Sequence, residues 1–232
     1  MFGGIGMDRI GVIFDCDGTL IDSMDAWRNL EGELGHRAGV ELTAEDRQTL
    51  CTLNIPESAQ YFHQRYGLGA SSEQVVGMMD EIMLEWYSKH AVARPGALEF
   101  IGGLAQRGVV MSVASSSPKP YLQAGLACAG IVPYLAAIVS VEDVNSNKRN
   151  PKVYDHTRDL MGTSTLLTWG FEDAVYAIRT LSHAGYGTVG VYDHDLSGTW
   201  DQLSSEADLA VRSFEDLTAE AFLEAVANRV AR

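Results

Sequence analysis

The sequence has 232 residues, of which 46% are hydrophobic and 21% charged, a composition typical of a globular protein with a sizeable core. Its formal net charge of −14 makes nucleic acid and anionic membranes unfavourable partners, because both are negatively charged. A chain of this length fits one large domain, or a domain with a smaller one inserted into it.

The first predicted strand covers residues 10–14 and leads directly into Asp15, Cys16 and Asp17. Since side chains two residues apart on a strand point the same way, Asp15 and Asp17 share one side and Cys16 faces the other. Two carboxylates held this close repel each other, and a cation between them is the simplest relief. Hard oxygen ligands suit Mg²⁺, so the segment indicates phosphoryl transfer by a nucleophilic carboxylate beside an acid/base carboxylate.

The region that follows is predicted to be entirely helical. Helical patterns cover residues 22–37, 44–50, 56–66 and 72–90, with no convincing strand among them. A helical block between the first and second strands indicates an inserted cap domain, with hinges at 20–23 and 91–95. The predicted domains are an α/β core of residues 8–21 and 94–232 and a helical cap of residues 22–93.

The rest of the chain alternates strands with helices. The further predicted strands are 109–114, 137–141, 165–170, 188–192 and 209–211. The predicted helices are 96–106, 118–128, 151–161, 173–183 and 214–228, the last with Ser213 as its N-cap. This alternation predicts an α/β fold, a Rossmann-like doubly wound parallel sheet with helices on both faces.

Ligands of such sheets bind beyond the carboxyl ends of the strands, so polar residues at those positions are the functional candidates. The second strand is followed by three serines at 115–117, the third by a loop that contains Lys148, and the fourth by Glu172 and Asp173. Lys148 alone cannot offset these carboxylates together with a phosphate. A divalent cation is therefore expected in the site.

Four motifs in this order resemble those of haloacid dehalogenase (HAD) superfamily phosphohydrolases with a helical cap inserted after the first motif. The similarity is to the phosphoglycolate phosphatase and β-phosphoglucomutase-like subgroup, and it spans about residues 10–226. The motifs are Asp-x-Asp-Gly-Thr at 15–19, Ser115, Lys148 followed by Pro151, and Glu-Asp at 172–173. Arg149 and Lys152 depart from the usual Pro-x-Pro-Asp after the lysine, and Ala174 stands where Ser or Asp is common.

The resemblance implies roles for the acidic residues. Asp15 would attack phosphorus and form an aspartyl-phosphate, while Asp17 would protonate the leaving group and then activate water. Asp15, the main-chain carbonyl of Asp17, and Asp173 would bind Mg²⁺. Glu172 would be either a neighbour of these metal ligands or an acid favoured by a helix N-terminus.

The resemblance also implies a phosphate-binding set, namely Gly18, Thr19, Ser115, Ser116 and Lys148. In that set Ser115 would donate to a phosphoryl oxygen and Lys148 would neutralise the transferring group. Gly18 would let the backbone approach closely, and Thr19 would brace the loop. Ser116 or Ser117 could alternatively cap the following helix.

Three functions are compatible with these residues. The first is a Mg²⁺-dependent phosphatase that acts on a small phosphorylated metabolite. The second is a sugar phosphomutase of the β-phosphoglucomutase type, which would place a His on the first cap helix and an Arg in a cap loop. Residues 24–27 and 51–56 contain neither, which favours hydrolysis. The third is a non-enzymatic phosphometabolite-binding protein, against which the intact Asp15 and Asp17 pair argues.

A cytoplasmic location is expected. The first seven residues lack the basic segment and long apolar stretch of a signal peptide, and no apolar run reaches the roughly 20 residues of a membrane span. Cys16, Cys51 and Cys128 are odd in number and widely spaced, so they are predicted to be free, buried thiols. A monomer is the working expectation for the oligomeric state.

Overall fold

The structure, a computed structural model, describes residues 9–50, 53–193 and 198–231. The chain divides into two compact units, one built from the segments up to Asp22 and from Ala91 onward, the other from Ser23–His90. The sequence had predicted a division at 22 and 93. The predictions for the first seven residues and for Cys51 lie outside the described residues.

The unit Ser23–His90 is helical, and we call it the helical unit. Its helices are α1 (Met24–Arg37), α2 (Ala44–Leu50), α3 (Ile55–Tyr66) and α4 (Ser72–Lys89). Helix α3 begins with a capping box, because the Asn54 side chain accepts from the backbone N–H of Glu57 and the Glu57 side chain accepts from that of Asn54. Leu34, Phe62 and Tyr87 are fully buried and contribute to the apolar interior of this unit.

A buried acid, Asp46, links α2 to α3. Its carboxylate accepts hydrogen bonds from both the backbone N–H and the hydroxyl of Thr43, and from the hydroxyl of Tyr61. Arg65 adds an ion pair at 3.0 Å. The hydrogen bonds from Thr43 and then from Tyr61 and Tyr66 hold the pKa of Asp46 well below its ordinary value, so this carboxylate stays ionised at neutral pH.

The other unit, the α/β unit, contains a parallel sheet. Its strands are β1 (Gly11–Phe14), β2 (Val110–Ser115), β3 (Leu135–Ser140), β4 (Thr168–Glu172), β5 (Gly187–Val191) and β6 (Leu209–Val211). Their order is β3-β2-β1-β4-β5-β6, and each neighbouring pair is parallel. The chain moves outward from β1 to β3 and then resumes at β4 on the other side of β1, which places the topological switch point beside β1.

Helices cover both faces of the sheet. They are α5 (Ala97–Gln106), α6 (Lys119–Cys128), α7 (Lys152–Met161), α8 (Val175–His183), α9 (Trp200–Glu206) and α10 (Ala219–Val230). On one face Ile13 packs in a cluster with Val153 of α7 and Leu181 of α8. On the other face Phe171 packs between Phe100 of α5 and Phe222 of α10, with ring centroids 5.5 and 5.4 Å away. The predicted doubly wound α/β fold is confirmed.

Two elements differ most from their predicted bounds. The fourth strand was predicted at 165–170, but its ladder to β1 begins where Gly11 pairs with Thr168. The N–H of Thr168 is still bonded to the carbonyl of Thr165 in a turn, so the preceding apolar residues belong to that turn. The last helix was predicted from 214. Ser213 instead caps a short 3₁₀ turn, Phe214–Asp216, and α10 starts after its own cap at Thr218.

The two segments that join the helical unit to the α/β unit lie side by side. Ile21 and Ala93 form an antiparallel bridge, and the N–H of Arg94 donates to the carbonyl of Leu20 at 2.9 Å. Outgoing and returning backbones are therefore paired at one place in the α/β unit.

Two remaining sequence predictions can be compared with the described residues. Cys16 is a buried free thiol, as expected, but Cys128 is exposed, because it ends α6 on the side away from the buried Leu122 and Leu126. None of the described helices combines the length and apolar character that crossing a membrane requires.

Candidate active site

The loop after β1 is held in a tight backbone turn. The carbonyl of Cys16 accepts from the N–H groups of both Leu20 and Ile21 at 2.9 Å, and the N–H of Gly18 donates to the carbonyl of Ile21. Gly18 has a φ of +82°, and a Cβ there would lie 2.9 Å from Asp173 Oδ2. Only glycine fits this position, because a side chain would be strained and would also meet the carboxylate.

Asp15 and Lys148 form a buried ion pair at the end of the sheet. The Lys148 ammonium donates to Asp15 Oδ1 and to Glu172 Oε1, the latter at 2.7 Å. Lys148 is only 4% exposed, and Asp15 and Glu172 are similarly buried. Burial alone would lower the pKa of Lys148, but the two carboxylates raise it above its ordinary value. One fixed cation is thus shared between two acids that come from neighbouring strands.

Asp173 completes a cluster of three carboxylates. Asp15, Glu172 and Asp173 each offer an oxygen, and the three oxygens lie within 4.8 Å of one another. Burial, and then the charge of Asp15, raises the pKa of Asp173 to about 7, while burial opposed by Lys148 raises that of Glu172 to about 8. Burial also raises the pKa of Asp15. The cluster carries more negative charge than Lys148 balances.

Of the two places predicted for Glu172, the structure excludes the helix N-terminus. It is the last residue of β4, whereas α8 begins only at Val175, so it is not an acid of that helix's first turn. Its Oε1 accepts from the hydroxyl of Tyr154 at 2.8 Å as well as from Lys148. Its Oε2 is buried and has no hydrogen-bond partner among the described residues. Glu172 therefore belongs to the carboxylate cluster itself.

Asp17 is oriented by a serine of the loop after β2. Ser117 Oγ donates to Asp17 Oδ2 at 2.6 Å. The backbone N–H of Ser117 in turn donates to Ser115 Oγ at 3.2 Å. Asp17 is more exposed than Asp15, so the two carboxylates of the first motif have different surroundings. The alternative in which Ser116 or Ser117 caps α6 was wrong, because Pro118 occupies the N-cap and offers no side-chain acceptor.

The other residues of the predicted phosphate-binding set differ in how deeply they are buried. Ser115 is the last residue of β2 and is buried, whereas Ser116 is exposed. Thr19 is buried, and its hydroxyl finds no hydrogen-bond partner in the part of the chain that the structure describes.

Arg94 links the loop after β1 to the end of β5. Its Nη1 donates to the carbonyl of Gly18 and, at 2.7 Å, to Asp193 Oδ1, while its Nη2 donates to the carbonyl of Tyr192 at 2.9 Å. The Asp193 charge also helps to raise the pKa of Asp173, after burial and Asp15. The guanidinium therefore balances an acid next to the cluster and holds the backbone of the loop.

Sequence reasoning missed three residues that the structure places at or next to the site, namely Tyr154, Arg94 and Asp193. Asp193 lies just past the predicted fifth strand, so a reading of every strand end would have found it. Ser117 was noted among the serines after the second strand, but its contact with Asp17 was not predicted. Tyr154 and Arg94 carry no strand-end signal, because they reach the site from a helix and from the segment before α5.

Comparisons with known proteins find phosphatases among the relatives of this chain. The chain is 26% identical over 206 residues to validoxylamine A 7'-phosphate phosphatase of Streptomyces hygroscopicus subsp. limoneus, with 88% of this chain and 94% of the relative covered. It is 24% identical to hexitol phosphatase B of Escherichia coli K12, with coverages of 92% and 96%. The fold matches β-phosphoglucomutase from Clostridium difficile with a TM-score of 0.76 at 19% identity, covering 97% and 100% of the two chains.

A family model matches most of the chain. The model of haloacid dehalogenase-like hydrolases covers residues 12–191, a range that begins in β1 with the first motif and runs to the end of β5. The resemblance inferred from the four motifs is thereby confirmed, and the chain belongs to the family of haloacid dehalogenase-like hydrolases.

Proposed function

We propose that the protein is a Mg²⁺-dependent phosphatase that hydrolyses a small-molecule phosphate monoester through an aspartyl-phosphate on Asp15. The observation that carries the proposal is the buried Asp15 carboxylate, bonded to Lys148 and grouped with Glu172 and Asp173. A nucleophilic carboxylate beside a fixed cation and a cluster of hard oxygen ligands is suited to phosphoryl transfer.

Asp15 is the proposed nucleophile. It is 5% exposed, so a phosphorylated Asp15 would be shielded from bulk water. Burial disfavours its ionised form, and Lys148 offsets this penalty directly through the ion pair. Lys148 can also neutralise the phosphoryl group during transfer.

Asp17 is the proposed acid and base. Its partial exposure leaves it accessible to the leaving oxygen and then to water, and Ser117 fixes the orientation of its carboxylate. Ser115 accepts from the N–H of Ser117 through its oxygen, so its hydroxyl hydrogen remains available for a phosphoryl oxygen. Thr19, Gly18 and the exposed Ser116 complete the proposed phosphate-binding set.

The residues fit a divalent cation. Three carboxylates each offer an oxygen to one small region, and Glu172 Oε2 is buried without a hydrogen-bond partner among the described residues. We infer that Asp15, Asp173 and Glu172 would hold Mg²⁺, with the main-chain carbonyl of Asp17 as a further ligand. When bound, the cation would supply charge neutralisation and polarise a phosphoryl oxygen.

The helical unit is the proposed determinant of the substrate, with hinges at 20–23 and 91–95. The curated relatives are named for a validoxylamine phosphate and for hexitol phosphates. Sugar and polyol phosphates are therefore the first compounds to assay. A small metabolite is expected, because the net charge of −14 disfavours polyanionic partners.

Hydrolysis is favoured over the mutase alternative. Residues 24–27 and 51–56 contain no His or Arg that could serve a second phosphate. The likeness to β-phosphoglucomutase concerns the fold, since the identity is 19%. A mutase would require a bisphosphate primer and release little phosphate, so the same assay separates the two functions.

The test is phosphate release from sugar phosphates, polyol phosphates, phosphoglycolate and nucleotides, with and without Mg²⁺. Release that needs Mg²⁺ and disappears in Asp15→Asn is expected. Borohydride reduction during turnover should convert Asp15 to homoserine, which mass spectrometry detects. Release that persists in Asp15→Asn would overturn the mechanism, and a primer requirement without net release would favour the mutase.

Asp17→Asn separates proton transfer from metal binding. The variant should keep Mg²⁺ affinity and lose most turnover, because its amide cannot protonate the leaving oxygen. Turnover within tenfold of the wild type, a loss of only about 1.4 kcal/mol, would show that Asp17 is not the acid and base.

A further inference from the structure

The two carboxylate oxygens of Glu172 have opposite environments. Oε1 accepts two hydrogen bonds, from Lys148 Nζ at 2.7 Å and from the Tyr154 hydroxyl at 2.8 Å. Oε2 is buried without a hydrogen-bond partner among the described residues. A buried oxygen without a hydrogen-bond partner is costly. One oxygen of this carboxylate is therefore anchored, and the other is left for a ligand.

Tyr154 is a fixed donor. It lies in α7 and is 1% exposed, within the apolar cluster that also contains Ile13 and Val139. A phenol has one hydrogen to donate, and that of Tyr154 goes to Glu172.

Two donors are needed to fix this carboxylate. The last torsion of a glutamate side chain is broad, so hydrogen bonds rather than rotamer preference decide which oxygen points where. Lys148 is also bonded to Asp15 and is the expected partner of a phosphoryl group. Tyr154 has no such second task, since its hydroxyl contacts only Glu172 among the described hydrogen bonds.

We propose that Tyr154 is a positioning residue for the cation site. Its hydroxyl anchors Glu172 Oε1 and so leaves Oε2 for the cation. Glu172 shares the cation position with Asp15 and Asp173, because one oxygen of each of the three residues lies within 4.8 Å of the others. The inference rests on the cation site of the proposed function but not on the identity of the reaction. In this proposal a residue of α7, on one face of the sheet, orients Glu172 at the end of β4.

The test is Mg²⁺ binding to substrate-free protein, measured by titration calorimetry. Tyr154→Phe keeps the buried ring and removes the hydroxyl, so a dissociation constant raised about tenfold is expected, equivalent to about 1.4 kcal/mol. At saturating Mg²⁺, kcat should stay within a few-fold of the wild type. Tyr186→Phe is the matched control, because Tyr186 is equally buried in the same cluster and donates to Asp155 at 2.6 Å. Its Mg²⁺ affinity should be unchanged.

Further outcomes separate positioning from a merely structural role. A purely structural hydroxyl would lower the urea midpoint equally with and without Mg²⁺ and leave the Mg²⁺ affinity intact, which would overturn the proposal. If Tyr154→Phe does not fold, Tyr154→Met repeats the test with another buried apolar side chain. Wild-type protein that binds no Mg²⁺ would remove the cation site and this inference together, whereas the phosphate-release assay decides the phosphatase assignment separately.

Discussion

Replacing Lys148 by methionine tests the charge balance of the site. Lys148→Met keeps the length and the apolar stem of the side chain and removes the only described ammonium that hydrogen-bonds to both Asp15 and Glu172. Breaking a buried ion pair generally costs about 3–5 kcal/mol, because the partner is left uncompensated. Burial already raises the pKa of Glu172 to about 8, so at pH 7 this carboxyl group is largely neutral and adds little to the penalty. Asp15 would then carry most of the penalty.

The size of that penalty has an upper limit set by protonation. Bringing a carboxyl group with an ordinary pKa near 3.9 to its neutral form at pH 7 costs about 4 kcal/mol, at roughly 1.4 kcal/mol per pH unit. We therefore expect the free energy of unfolding to fall by at most about 4 kcal/mol in buffer without Mg²⁺, because burial already raises the pKa of Asp15 in the wild type. Loss of Lys148 raises the folded pKa of Asp15 further above its unfolded value, so the stability difference should shrink as the pH is lowered towards about 5, by at most about 1.4 kcal/mol per pH unit.

Urea denaturation followed by circular dichroism measures the effect, with Lys119→Met as the control. Lys119 pairs with Asp143 at 2.9 Å on the surface, where both side chains are at least 30% exposed. Such a pair contributes about 0–1 kcal/mol. If Lys148→Met loses no more stability than Lys119→Met, or if its loss does not depend on pH, the reasoning about uncompensated buried charge is wrong.

Three other changes test separate contacts. Ser117→Ala removes the hydrogen-bond donor to Asp17. Since hydrogen bonds to charged groups contribute about 1.5–3 kcal/mol, we expect steady-state kinetics to show kcat lowered about 10- to 100-fold with little change in KM. A kcat within twofold of the wild type would contradict this. Arg94→Lys keeps the positive charge but removes the guanidinium group that bonds to the Gly18 carbonyl, so kcat should fall about tenfold. An unchanged kcat would show that this contact does not position the loop. Asp46→Asn should lower the melting temperature at pH 7, because the ionised Asp46 carboxylate is stabilised in the folded protein. The difference in melting temperature from the wild type should narrow below about pH 4, where Asp46 becomes protonated in the unfolded chain. A difference that stays constant across this pH range would show that the charge of Asp46 does not contribute.

The parts of the site that were predictable follow directly from topology. In a parallel sheet every carboxyl end reaches the same edge, so Asp15 and Asp173 are brought together once β1 and β4 are known to be neighbours. The helix N-terminal alternative for Glu172 was wrong because the fourth strand runs further than its apolar segment suggests. Trp169 and Phe171 point to one face of the sheet, and Gly170 lies under Leu181 on the other face. This alternation shows that β4 continues as a strand as far as Glu172.

The contacts that escaped prediction depend on packing between elements. Tyr154 reads as one more apolar residue of an amphipathic helix, and only the register of α7 against β4 brings its hydroxyl to Glu172. Arg94 precedes a helix and reaches Gly18 across a separation of 76 residues. Neither the period of a helix nor the spacing of a motif carries this information, because both describe a single element.

The pairing of Ile21 with Ala93 gives the protein a modular architecture. Because the two ends of the helical unit join the α/β unit at adjacent backbones, a segment of another length could replace that unit without changing the order of the strands. Under the proposed role of the helical unit in substrate choice, such a replacement would change the substrate and leave the site residues of the α/β unit in place. The replacement segment would have to match only the two paired backbone ends.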